Sequence, residues 1–209
     1  MEYKSIKNET QKRLKSYFKE LGYQIDGSDY FILDNKIVKL VNLQFASSGY
    51  SICINLGVNF PEVLPYTQQS INSKKIEVEL RRRLTDNLEI QDKWWKIDSP
   101  DQMIQSIDDI KVKYSTTGNR YFKQFDDPES FLNGLAMDIL SDNCIPIKYK
   151  NIGYATELRT YYWLSIYQYK KRNIKVAKEL SELGLQKIDG KIGVSLEKVF
   201  REIIEEKFV

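Results

Sequence analysis

The chain of 209 residues contains no histidine, 42% hydrophobic residues, and 32 basic against 29 acidic side chains. Without histidine, a Ser-His-Asp or Cys-His-Asn catalytic triad and an imidazole-bound zinc site are excluded. The net charge of +3 is small for a dedicated nucleic-acid-binding protein or membrane-surface protein, because such proteins concentrate basic residues.

The two cysteines, Cys53 and Cys144, lie far apart and do not have the spacing of metal ligands. We therefore expect reduced thiols, no tightly bound transition metal and no cofactor. The first residues lead into a charged helix rather than an apolar signal sequence, and no apolar run approaches the length of a membrane span. These features predict a cytoplasmic protein that does not associate with a membrane.

The first predicted element is a helix over residues 8–21. Asn8 begins a capping-box-like Asn-x-x-Gln sequence, and Leu14 and Phe18 recur at helical spacing. Gly22 stands where such a helix should end.

The hydrophobic period changes to two after this helix, which predicts strands. Short turns between the first three strands favour an antiparallel meander over parallel crossovers. A loop over residues 61–75 separates them from a fourth strand, and the fifth is a short strand or an ordered loop. The predicted strands cover residues 30–33, 36–46, 50–60, 76–82 and 94–97.

The remainder of the chain is predicted to be helical. Ser99-Pro100-Asp101-Gln102 is a strong helix start, with serine as the cap and proline at the first helical position. The predicted helices cover residues 100–114, 128–144, 154–172, 173–184 and 194–207. We predict an α+β domain over residues 1–125, in which helices 8–21 and 100–114 cover one face of a four- or five-stranded antiparallel sheet. A helical C-terminal region, residues 126–209, packs against it.

Six short segments occur in a recognisable order along the first part of the chain. They are Leu21-Gly22-Tyr23, Val41-Asn42-Leu43-Gln44-Phe45, Ile54-Asn55-Leu56-Gly57-Val58, Arg83-Leu84, Trp94-Trp95 and Arg120-Tyr121-Phe122. Their order and spacing over about residues 10–145 resemble an uncharacterised bacterial family, the domain of unknown function 4304. The resemblance implies an α+β domain of bacterial or phage origin, and it implies no activity.

The sharpest charge cluster is Arg81-Arg82-Arg83. On a strand, Arg81 and Arg83 share one face and Arg82 takes the other. Such a pair could bind a phosphate or carboxylate through bidentate hydrogen bonds. Alternatively, the arginines pair with acidic neighbours and keep a sheet edge soluble. The candidate acidic partners are Glu77, Glu79, Asp86 and Glu89.

Trp94-Trp95 is the second candidate for a binding surface. One of two adjacent strand residues faces away from the core, and exposed tryptophan is typical of interface hot spots. Alternatively, a helix covers the second ring. We expect a binding patch that combines Arg81 or Arg83 with Trp94 or Trp95, on neighbouring strands.

A third candidate is the tract 148–172, in which basic and aromatic residues alternate. Such a surface could stack on the bases and pair with the phosphates of single-stranded nucleic acid. Alternatively, its aromatic residues form the core-facing stripe of a helix.

We find no catalytic residues and no glycine-rich phosphate-binding loop in the sequence. The sequence favours a non-enzymatic bacterial protein-binding module, for example an immunity or regulatory protein, whose partner is another protein. The alternative is a nucleic-acid-associated protein, for example in phage defence. The least favoured hypothesis is an enzyme that uses carboxylates and arginine alone.

Overall fold

A computed structural model describes residues 3–33, 37–63, 78–90, 92–153, 156–189 and 193–209. The predicted turn between the first two strands, at Asp34-Asn35, lies outside these residues. So do most of the predicted loop 61–75 and the start of the predicted fourth strand.

One antiparallel sheet organises the first part of the chain. Its strands follow the order β1-β2-β3-β4-β5, and the two-residue strand β6 also pairs with β4. The predicted antiparallel α+β fold is confirmed. The three residues of β1 are too few to show a period of two, and the sequence did not reveal this strand. The strands are β1 (Gln24–Asp26), β2 (Asp29–Leu33), β3 (Val38–Phe45), β4 (Ser51–Asn59), β5 (Leu80–Arg83) and β6 (Trp95–Lys96).

Helices precede and follow this sheet. They are α1 (Tyr3–Glu20), α2 (Pro100–Lys113), α3 (Asn119–Lys123), α4 (Pro128–Asp142), α5 (Glu157–Lys170), α6 (Ile174–Gln186) and α7 (Val194–Ile204). A π-helical turn joins α2 to α3, and a 3₁₀ helix covers Ile147–Ile152. Among the described residues, no helix is both long enough and apolar enough to cross a membrane.

The two helices α1 and α2 cover one face of the sheet, as predicted. Phe18 of α1 stacks on Tyr30 of β2 with ring centroids 5.1 Å apart, and Ile107 and Ile110 of α2 belong to the same buried core. Alternate residues of β4, beginning at Ile52, supply the sheet side of this core. The opposite face, which we call the polar face, carries the alternating residues, among them Asp29, Asn42, Gln44 and Asn55 together with the apolar Val38 and Leu40.

Helix α5 of the C-terminal region packs on Phe60, the residue that follows β4. Its ring lies 5.4 Å from the ring of Trp163 in α5 and 6.5 Å from the ring of Phe125. Every residue of α5 from 160 to 168 is buried, which is typical of a helix surrounded by protein. In the tract 148–172, the aromatic residues of this helix therefore form core rather than a binding surface.

Several predicted helix boundaries differ from the structure, since α5 begins at Glu157 rather than at residue 154 and α7 ends at Ile204 rather than at residue 207. Asn8 lies inside α1, which begins at Tyr3, because buried Ile6 extends the apolar stripe by one turn towards the N-terminus. Gly184, the predicted end of its helix, lies inside α6, which continues to Gln186. A side chain at Gly184 would overlap the ring of Phe200, so this glycine permits α6 and α7 to pack closely.

Candidate binding face of the sheet

The polar face of the sheet carries a row of four residues that lie directly opposite one another on β2, β3, β4 and β5. They are Asp29, Asn42, Asn55 and Arg83, and we call them the polar row. The Asn42 amide donates to Asp29 at 2.6 Å, and the Asn55 amide donates to Asn42 at 2.9 Å. The row thus runs from a carboxylate to a guanidinium group through amides whose positions are held by hydrogen bonds.

The guanidinium end of the row contacts an exposed tryptophan. The Arg83 guanidinium lies 4.9 Å from the ring centroid of Trp94, which is 37% exposed. Asp92 forms an ion pair with Arg83 and accepts a hydrogen bond from the Trp94 indole at 3.3 Å. We call Arg83, Asp92 and Trp94 the edge cluster. Its hydrogen bonds and ring contact hold the indole in one orientation at the sheet edge.

Arg81 lies beside this cluster on the same face of the sheet, opposite Gly57 of β4. Its side chain is exposed, and in the part of the chain that the structure describes no carboxylate oxygen lies within 4 Å of it. Its backbone N–H donates to the carbonyl of Gly153 at 2.8 Å. Arg81 therefore presents an exposed guanidinium group on a fixed backbone, and the described residues supply no carboxylate partner for it.

Trp95 and Arg82 face the opposite side of the sheet. Trp95 is 4% exposed and its indole donates to Asp109 at 2.7 Å, so it belongs to the core. The Arg82 guanidinium donates to backbone carbonyls, among them that of Asn151 at 2.8 Å and that of Ile90 at 3.0 Å. Arg82 therefore links β5 to the 3₁₀ helix and to the segment that contains Ile90. Neither Arg82 nor Trp95 reaches the polar face.

The expectation that the arginines and tryptophans lie on neighbouring strands is wrong. Strands β5 and β6 do not pair with each other, because both pair with the same edge of β4, one after the other. Arg83 ends β5 and Trp94 directly precedes β6, so the pairing of these strands with successive parts of β4 brings the two side chains together. The proposed acidic partners also differ, since Asp92 pairs with Arg83 while Glu79 pairs with Arg159. Glu77 lies outside the described residues.

Cys53 lies on the polar face and its thiol donates to Gln44 at 3.7 Å. Burial raises the pKa of the Cys53 thiol and outweighs the opposing influence of Arg83 and Arg81. A thiol with a raised pKa is a poor nucleophile at neutral pH. Among the described residues, no group of three or more Cys, Asp and Glu side chains could hold a metal ion.

An open groove of about 1180 Å³ runs along the polar face. Val78 forms part of its wall and lies so close to Gly57 that a Cβ there would stand 2.7 Å from the valine. The residues that line the groove include Asp29, Asn42, Gln44, Glu79, Arg81 and Arg159. An extended peptide fits a groove of this size and shape better than a small ligand, which needs an enclosed pocket.

The ion pair between Glu79 and Arg159 lines the groove, and the sequence did not predict it. Glu79 is 3% exposed and accepts two hydrogen bonds from Arg159 of α5, at 2.8 and 3.0 Å. The pair joins residues 80 positions apart, and no local pattern predicts such a contact. It ties α5 to the start of β5.

Replacing Arg159 with methionine is expected to lower the free energy of unfolding by about 2 kcal/mol, because it removes the cation from a buried carboxylate. Urea denaturation followed by circular dichroism measures the loss. The double variant E79Q/R159M should recover part of it, because the neutral amide is less costly to bury. A double variant no more stable than R159M would contradict this account.

The family model described as Domain of unknown function (DUF4304) matches residues 14–124, more than half of the chain. The match includes all six strands, α2 and α3, and thus the polar row, the edge cluster and Arg81. No curated protein and no solved structure matches the chain.

Proposed function

This chain belongs to the DUF4304 family, and we propose that it is a non-enzymatic module that binds an acidic segment of another protein on the polar face of its sheet. The observation that carries the proposal is the exposed Arg83–Trp94 contact beside Arg81, at the end of the polar row. Arginine and tryptophan are the residues most enriched at the energetic centres of protein interfaces.

The charges of this face favour an acidic partner. Arg81 offers a planar guanidinium group that a carboxylate can bind through two hydrogen bonds. Its backbone is held by β4 on one side and by Gly153 on the other, so little backbone entropy is lost on binding. The groove supplies room for an extended segment beside it.

An immunity or small regulatory protein of a bacterium is the role that suits this module, since such proteins act by occupying a partner's surface. A nuclease is a poor candidate for the partner, because proteins that act on nucleic acid present basic surfaces. A partner with an acidic docking segment fits Arg81 and the edge cluster.

The test uses the products of the genes that flank this one, each titrated against the purified protein by calorimetry. For a product that binds, R81A and W94A are each expected to weaken binding about thirtyfold, which corresponds to about 2 kcal/mol. R120A and M137A are matched controls, because both residues are exposed and lie away from the polar face. Unchanged binding by both R81A and W94A, with normal melting temperatures, would place the interface elsewhere.

Nucleic-acid association through the tract 148–172 has less support. Stacking on bases needs exposed aromatic rings, whereas Tyr161, Trp163 and Tyr167 are buried. Lys148 forms an ion pair with Asp138, which also accepts a hydrogen bond from Tyr149.

A further inference from the structure

Helix α1 carries far more positive charge than the rest of the protein. It contains six basic and two acidic residues, a net charge of +4, whereas the whole chain has a net charge of +3. The residues outside α1 therefore sum to −1. The weak overall charge conceals one strongly basic element.

Most of this charge lies along one exposed stripe. At about 100° per residue, Lys4, Lys12, Lys15 and Lys19 fall within a sector of about 80°, on the side of α1 turned away from the sheet. We call these four residues the lysine stripe. All four are exposed, and among the described residues none has a carboxylate partner within 4 Å. Asn8 also lies in this sector, and the residues on its margins are neutral and polar: Ser5, Gln11 and Ser16.

The acidic residues of α1 lie outside the stripe. Glu9 pairs with Arg13 further round the helix, at 2.8 Å, and Glu20 lies on the same side as Glu9. Besides the hydrogen bond from Arg13, Lys12 contributes to the lowered pKa of the Glu9 carboxyl, which it follows by three residues. Lys4, Lys15 and Lys19 lie further round the helix from Glu9. Most of the positive charge is thus separated from the negative charge. A surface that serves only solubility needs no such separation, because mixed charges are equally soluble.

We propose that the lysine stripe binds the phosphodiester backbone of nucleic acid without regard to base sequence. From Lys4 to Lys19 the stripe extends about 22 Å along the helix axis, the length of about six phosphates of one duplex strand. Lysine is a compact charge on a flexible stem, which suits contacts that position a backbone rather than contacts that read bases.

Nucleic acid fits the stripe better than a membrane or an acidic protein does. A helix that lies on a membrane inserts an apolar face, whereas the apolar face of α1, including Leu14 and Phe18, is buried against the sheet. An acidic protein segment rarely offers evenly spaced anions over 22 Å, as a phosphodiester backbone does. Helix α1 packs on the face of the sheet opposite the polar row, and only Lys7 and Gln11 at its edge also line the groove. The four lysines of the stripe do not line the groove.

The test is fluorescence anisotropy with a labelled 30-base-pair DNA duplex, the equivalent RNA duplex and a single strand, between 50 and 200 mM salt. Four phosphate contacts predict that the logarithm of the association constant falls with the logarithm of salt concentration with a slope of about −3.5 on duplex DNA. The variant K12Q/K15Q/K19Q should bind at least tenfold more weakly at 50 mM salt. Because it loses three phosphate contacts, its salt-dependence slope should be less negative by about 2.7.

The matched control is K175Q/K198Q/K207Q, which removes the same charge from exposed lysines that each lie beside a glutamate. It should retain the affinity and the slope of the unmodified protein. Equal losses in both variants, or no binding to any of the three nucleic acids at 50 mM salt, would overturn the proposal. Stripe-dependent binding to vesicles with anionic lipid, without binding to nucleic acid, would also overturn it. None of these outcomes bears on Arg81 or Trp94, which the calorimetric titrations test separately.

Discussion

Replacing Trp95 with alanine is expected to lower the free energy of unfolding by about 4 kcal/mol, whereas W94A should lower it by less than about 1 kcal/mol. Trp95 is buried in the main core, so its removal loses the burial of a large ring and leaves a cavity. It also leaves Asp109 without the indole donor at 2.7 Å. Trp94 is partly exposed and loses mainly its contact with Arg83. Urea denaturation followed by far-ultraviolet circular dichroism measures both changes.

The variant W95F separates the two contributions to this loss. Phenylalanine retains most of the buried ring but has no N–H, so we expect a loss of about 2 kcal/mol, intermediate between the native protein and W95A. Similar losses for W94A and W95A would show that Trp94 is as important to the core as Trp95. The exposed ring would then no longer support a binding role.

The orientation of the two tryptophans could not be predicted from the sequence, although their importance could. Adjacent residues of a strand point to opposite faces, but the sequence does not say which residue faces the helices. The answer depends on register. Trp95 pairs with Ile52, a residue of the core-facing set of β4, and this pairing turns Trp95 inward.

The polar row, too, could be predicted from the sequence only in part. Strict alternation in β3 and β4 correctly predicted that Asn42 and Asn55 point away from the core. Only the registers of three strand pairs show that the four residues of the polar row lie in one line. Register is a property of turns and long-range pairing, and alternation alone does not reveal it.

The local capping signal at Ser99 was accurate, whereas the capping-box-like sequence at Asn8 was not, because α1 begins at Tyr3. Ser99 caps α2 by accepting a hydrogen bond from the backbone N–H of Gln102 at 3.2 Å. Asp127 caps α4 in the same way, by accepting a hydrogen bond from the backbone N–H of Ser130 at 3.1 Å. Arg159 could not be found in this way, because its partner Glu79 precedes it by 80 residues.

The groove and Arg81 depend on a close contact between β5 and the loop after the 3₁₀ helix. Replacing Gly153 with alanine is expected to lower the free energy of unfolding by about 3 kcal/mol, because two penalties combine. Gly153 has a φ of +78°, which a residue with a side chain adopts only at a cost. Its new Cβ would also overlap the carbonyl oxygen of Arg81, a backbone atom that cannot turn aside as a side chain can.

Moving this loop away from β5 would weaken the 2.8 Å hydrogen bond from the Arg81 N–H to Gly153, and the neighbouring bond from Arg82 to Asn151. The control is G22A. Gly22 has a similar φ of +87° but no atom within 4 Å of its Cβ position, so its variant bears the conformational cost alone, about 1 kcal/mol. Thermal and urea denaturation of the two variants measure the difference. Equal destabilisation would mean that the loop is not tightly held against β5. A much larger loss in G153A would show that close contact between this loop and β5 contributes to stability beyond the conformational cost of the positive φ.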